Sequence, residues 1–140
     1  MDGILLVAHS SETGNESITG LAERVSGITG LPTAVGFKRY GEPKLRRAFE
    51  GLASRCGRVA VVPLFMTDGR YTVSIPANLG LRAGSRYGNV GGTEAIVTGA
   101  FGLDPGLRGA LETELRVAGA ADGDGAVLLG HGSSETAASP

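Results

Sequence analysis

The chain is short of cysteine, histidine, aromatic residues and long apolar stretches, and each shortage excludes something. With one cysteine, Cys56, in 140 residues, neither an internal disulfide nor a cysteine-ligated iron–sulfur centre can form, and nothing argues for an oxidising compartment. Charge of neither sign prevails: 13 basic and 14 acidic residues leave a net charge of −1. No overall field would draw the chain to nucleic acid or to an anionic membrane surface, so neither is expected as a partner. The apolar run Ile4–Ala8 is too short for a secretory signal and far too short for a bilayer span, and acidic Asp2 stands where a basic leader would begin. A cytoplasmic protein is expected. Motifs are also missing. There is no GxGxxG and no GxxxxGK[ST] for a nucleotide, no GxSxG elbow for a hydrolase and no HExxH for a resident metal.

What the chain does have is glycine, 24 residues of it, scattered without collagen period in a composition that is 41% hydrophobic. That pattern fits the many tight turns of one compact domain. Gly3–Ala8 is a continuous apolar run of the kind buried on both faces of a sheet. Ile18, Leu21, Ala22 and Val25 then fall at helical spacing in Glu16–Val25, with Gly27 and Gly30 as stop signals before Pro32. Thr33–Phe37 reads as a second strand, Lys44–Ser54 as a helix with Leu45, Ala48, Phe49 and Leu52 on one face, and Arg58–Met66 as the strongest strand. Thr67–Gly92 reads as a long functional loop or lid with one short helical possibility at Ile75–Leu79. Glu94–Ala100 reads as a fourth strand, and Pro105–Val117 as a helix with Leu107, Ala110, Leu111 and Leu115 in register.

Strands alternating with helices predict an α/β fold of the flavodoxin-like class: a three-layer arrangement with a parallel sheet of about four strands between helices. In such sheets ligands bind beyond the C-terminal strand ends. That rule points to His9-Ser10-Ser11 after the first strand and to Thr67–Thr72 after the third.

The start of the chain recurs near its end. Gly3–His9 aligns without gaps on Gly125–His131, and Ser10-Ser11-Glu12-Thr13 matches Ser133-Ser134-Glu135-Thr136 after one extra glycine. The expected organisation is therefore one domain over residues 1–122, with 123–140 holding the first strand and loop of a second repeat and a disordered tail. The chain would be a fragment of a tandem-domain protein, or a short relative that keeps part of the second unit.

Both histidines, His9 and His131, end an apolar run and precede small residues. A lone histidine is often structural, but the strand-end position and its recurrence favour a functional one. Neutral imidazole binds Fe²⁺, Co²⁺, Ni²⁺ and Zn²⁺ and also titrates near neutrality, so His9 suits either a metal or a proton. Arg70, Arg82 and Arg86, with Tyr71 and Tyr87, lie in or near the long loop. They read equally as a solvated loop and as recognition of a multiply anionic ligand through bidentate guanidinium contacts.

These residues carry a resemblance. His9-Ser10-Ser11 after a strand, Phe37 followed by Glu42-Pro43-Lys44-Leu45 opening a helix, Val61-Val62-Pro63-Leu64-Phe65-Met66, and Gly69 leading to Ile75-Pro76 occur in that order. Together they resemble the class II tetrapyrrole chelatases of the CbiX and sirohydrochlorin chelatase type over residues 3 to 119. The resemblance implies ATP-independent insertion of Co²⁺, Fe²⁺ or Ni²⁺ into sirohydrochlorin or a related tetrapyrrole, in cobalamin- or siroheme-type cofactor synthesis. It implies no organic cofactor, the divalent metal being a substrate. It further implies a cleft formed by two domains or two chains, and so a homodimer or pairing with a second chelatase-like domain.

Carried over by position, His9 is the metal ligand and proton acceptor, and Ser10, Ser11, Arg70, Tyr71 and Thr72 face the tetrapyrrole. The family pattern Gly-x-His-Val-x-x-Asp-Ile-Pro is not matched in full, because here it reads Gly69-Arg70-Tyr71-Thr72-Val73-Ser74-Ile75-Pro76. The second histidine is absent. A neutral phenol is a poor ligand and a poor base at pH 7, which keeps open a non-catalytic tetrapyrrole- or metal-binding domain of a larger protein. A flavodoxin-like domain for an unrelated small anion is the third reading.

Overall fold

A computed structural model describes residues 1–9 and 15–127. The elements are β1 (Asp2–Ala8), α1 (Asn15–Thr29), β2 (Thr33–Phe37), α2 (Leu45–Ala53), β3 (Arg58–Pro63), α3 (Arg70–Val73), α4 (Ile75–Leu79), β4 (Tyr87–Val90), β5 (Thr93–Val97) and, after a 3₁₀ turn at Phe101–Leu103, α5 (Gly106–Val117). They form an α/β fold around a sheet of order β2-β1-β3-β5-β4. β2, β1, β3 and β5 are mutually parallel, as expected.

A fifth strand joins the expected parallel sheet of about four strands at its edge. β4 pairs antiparallel with β5, Val90 opposite Thr93. The link between them is Gly91-Gly92, with φ of 61° and 91°, the left-handed backbone that a two-residue hairpin requires and glycine supplies. Thr67–Gly92 is therefore not one long loop, since α3, α4 and β4 all lie within it.

Strand alternation divides the core into two. On one face Leu5, Val7, Val59, Val61, Ala95 and Val97 pack against Leu45, Ala48, Phe49 and Leu52 of α2 and Ile75 and Leu79 of α4. α2 lies very close to β2: a Cβ at Gly36 would stand 3.0 Å from Leu45 Cα and 3.1 Å from Ala48 Cβ. On the other face Leu6, Ala8, Val35 and Phe37 meet Ala22 of α1, with Ile18, Leu21 and Val25 partly buried beside it. α1 continues past Gly27 to Thr29, ending where Gly30 turns left-handed at φ 69°.

α1 covers only the β1–β2 half of that second face. α5 would be expected over the other half, yet it packs on the 3₁₀ turn and buries none of its residues. Leu111 and Leu115 of its apolar stripe are each 43% exposed, and Ile96 of β5 is 36% exposed. Charged side chains cross the strands at the far end of the same face: Arg58 Nη2 donates to Asp2 Oδ2 at 2.6 Å, and Tyr87 donates to Glu94.

Of residues 123–140, where a second repeat is expected to open, 123–127 are described and form no strand. Its remainder, with His131 and the expected disordered tail, lies outside the described residues.

Candidate functional site

The C-terminal ends of β1, β2 and β3 converge on His9. Leu64 N–H donates to Val7 C=O at 2.8 Å, and Lys38 N–H to Ala8 C=O at 3.1 Å. The chain just beyond each of the three strands is thereby held in line. His9 follows directly and is exposed. Its apolar strand is buried on both faces, which makes the first residue beyond it the first able to meet a ligand.

Across from it stands α3. The imidazole of His9 and the ring of Tyr71 lie 4.7 Å apart between centroids, tilted by 56°. Tyr71 also stacks with Phe65, centroids 6.2 Å apart and planes within 15°. Arg39 Nη1 donates to Tyr71 Oη at 3.2 Å. The Tyr71 carbonyl accepts from Ser74 Oγ at 3.0 Å, and that hydroxyl accepts from Lys38 Nζ at 2.8 Å. Lys38 Nζ also donates to Asn78 Oδ1. Partial burial of Lys38 disfavours its charged form and lowers its pKa.

Among the residues named from the sequence, the structure brings His9 and Tyr71 into contact and places Arg70 beside them as an exposed residue opening α3. It turns Thr72 inward: that side chain is 2% exposed, and its hydroxyl donates to Thr67 C=O at 3.1 Å. Thr72 ties α3 to the loop after β3, with no surface left to face a ligand. Arg86 is likewise committed internally, to Asp68 Oδ2 at 2.9 Å and Thr98 C=O at 2.7 Å. Arg82 is exposed, and Ser10 and Ser11 lie outside the described residues.

Lys38 and Arg39 were not singled out by the sequence reading, although the strand-end rule that marks His9 applies equally to the two residues after β2. Their effect is electrostatic as well as structural. Lys38, Arg39 and Arg70 belong to the segments that flank the histidine, after β2 and at the start of α3, and among the described residues no group of three or more His, Cys, Asp and Glu gathers to hold a metal. Cations on the flanking segments suit an anionic ligand, and a single imidazole gives a divalent ion only a weak, exchangeable hold. Among the described residues no helix is long and apolar enough to cross a membrane.

Comparison with known proteins agrees with the geometry. No curated protein matches the chain. The structure resembles that of a CbiX protein from Marinobacter aquaeolei VT8 with a TM-score of 0.62, at 23% identity over 86% of this chain and 99% of that one; at that identity the likeness establishes the fold. The family profile described as CbiX matches residues 3–118, most of the chain. With its strand-end histidine and this sheet, the chain belongs to the CbiX family.

Proposed function

We propose that the chain is a class II chelatase that inserts a divalent metal, Co²⁺, Fe²⁺ or Ni²⁺, into sirohydrochlorin or a related tetrapyrrole without ATP. Family membership supports a chelatase role of the cobalamin or siroheme type. The observation that carries the assignment to a residue is the position of His9, exposed just beyond the C-terminal end of β1 with its ring against Tyr71 of α3.

The chemistry is redox-neutral. Four metal–nitrogen bonds form, two pyrrole N–H protons leave, and the bond between the metal and His9 breaks. Delivery of the metal frees an imidazole lone pair, which accepts one of the departing protons; the second passes to water. An imidazole, at once a weak ligand for these ions and a base, meets both needs. Arg39 and Arg70 suit the carboxylates of the tetrapyrrole through charge-assisted hydrogen bonds.

The partner in this reading is a second copy of the chain. The apolar stripe of α5 and Ile96 on the β5 side of the sheet are both left partly exposed. An amphipathic helix of 12 residues draws its stability from packing rather than propensity. Two copies exchanging α5 would cover both surfaces and bring two sites into one assembly.

Spectroscopic titration tests the proposal. Addition of sirohydrochlorin to the protein is expected to perturb the pigment spectrum, and later addition of Co²⁺ to convert it to the metallated spectrum faster than in buffer. Tight pigment binding with metal insertion at the buffer rate would instead establish the non-catalytic binding domain, a reading favoured by the presence of Tyr71 where the family pattern has histidine.

A further inference from the structure

We propose that Tyr71 is a positioning residue for His9, set in place by Arg39. The inference rests on the reading of His9 as the group that handles the metal, and it concerns how a site with one imidazole is kept in order.

An exposed histidine at the end of a strand has rotamer freedom that any ligand must suppress. Here the imidazole lies against the Tyr71 ring at 4.7 Å between centroids. Tyr71 would orient nothing if it were itself loose, but it is held at three points. Phe65, just beyond β3, stacks on the ring at 6.2 Å. Arg39, just beyond β2, donates to the phenol oxygen at 3.2 Å. Ser74 Oγ, itself bonded to Lys38, donates to the Tyr71 carbonyl at 3.0 Å.

Residues beyond two strand ends, those of β2 and β3, together with Ser74 therefore fix Tyr71, and its ring is the face against which His9 packs. The usual device for orienting a ligating histidine is a hydrogen bond to its second nitrogen. Here a ring contact does the same work. Tyr71 need not ligate the metal: a phenol held by a guanidinium is a poor ligand, yet its ring is a good wall. It acts through His9 and is distinct from the residues that touch the tetrapyrrole.

The test uses the full chain with Tyr71→Ala, Tyr71→Phe and Arg39→Met, after circular dichroism has established that each folds. Two readouts are taken without tetrapyrrole: the imidazole C–H chemical shifts of His9, which sense the ring current of Tyr71, and the affinity for Co²⁺ followed by paramagnetic broadening of those signals. With only two histidines in the chain, a His131→Ala control assigns them. Tyr71→Ala is expected to remove the ring-current shift and to weaken Co²⁺ binding about tenfold, the lower end of what losing an orienting partner costs. Tyr71→Phe is expected to keep most of the shift, with Arg39→Met between the two.

Insertion kinetics supply the third readout, a fall in kcat for Tyr71→Ala with the KM for tetrapyrrole unchanged. A Tyr71→Ala chain whose His9 shifts match the wild type overturns the proposal, as does a rise in KM alone, which would make Tyr71 a substrate contact. A wild-type chain that binds Co²⁺ at His9 but inserts none overturns the chelatase reading instead, and the shifts and affinities still decide the role of Tyr71.

Discussion

Asp68 binds Arg86 at 2.9 Å through Oδ2 while its Oδ1 accepts the Ala100 amide at 3.0 Å. One carboxylate from the loop after β3 thus reaches both the chain entering β4 and the chain leaving β5. Because that loop leads directly into α3, the antiparallel hairpin at the sheet edge buttresses the helix that carries Tyr71.

Asp68→Ala is therefore expected to loosen α3 without unfolding the sheet. Removal of one half-exposed ion pair and one backbone partner should cost about 1–2 kcal/mol in stability. Urea denaturation measures that, and the exchange rates of the 70–73 amides should rise more than those of β1.

Phe49 is 1% exposed between α2 and the sheet. Phe49→Ala leaves a cavity that the tightly apposed α2 and β2 cannot close, and should destabilise the fold by about 3–5 kcal/mol. A thermal melt reads the effect directly.

Lys38 predicts a pH dependence. Its folded pKa is lowered by burial, so between that value and the ordinary lysine pKa the folded chain binds fewer protons than the unfolded one. Stability should rise with pH across that window and be lower below it, where burial of the charge is fully opposed. Above about pH 10 the Tyr87 phenol, whose pKa is raised chiefly by its hydrogen bond to Glu94, works the other way. The unfolded chain loses that proton first, and stability falls. Urea midpoints from pH 7 to 11 should show the rise and the fall; Lys38→Met should remove the rise and Tyr87→Phe the fall.

Leu111 tests the second copy. If α5 is exchanged between chains, light scattering should give twice the chain mass of 14.2 kDa for the wild type, and Leu111→Glu, which puts a charge on the apolar stripe, should give the single mass. A wild type of single mass would exclude the exchanged helix.

Most of this architecture was legible because buried parallel strands are apolar throughout. β1, β2 and β3 begin within a residue of where the apolar runs place them, and α2 follows its four core positions Leu45, Ala48, Phe49 and Leu52. β4 escaped because only Val90 of its four residues is buried, which leaves no alternation to read. Its one signal was Gly91-Gly92 between two short β-capable segments. The standing-off of α5 was not legible either: the spacing of Leu107, Leu111 and Leu115 reveals an apolar stripe but not what covers it. At the site, His9 stood out by strand-end position and recurrence. Arg39 did not, because a cation after a strand looks like a solvated residue until its hydrogen bond to the Tyr71 phenol is seen. Thr72 looked available in a glycine-rich stretch, and only the turn of α3 shows its side chain facing inward.

The central claim is that His9 handles the metal, and single-turnover insertion of Co²⁺ into sirohydrochlorin, compared between wild type and His9→Ala, tests it most directly. The account predicts a wild-type rate well above buffer and a loss of about 100-fold or more in the variant, with the fold intact by circular dichroism. Equal rates for the folded variant and the wild type would contradict it.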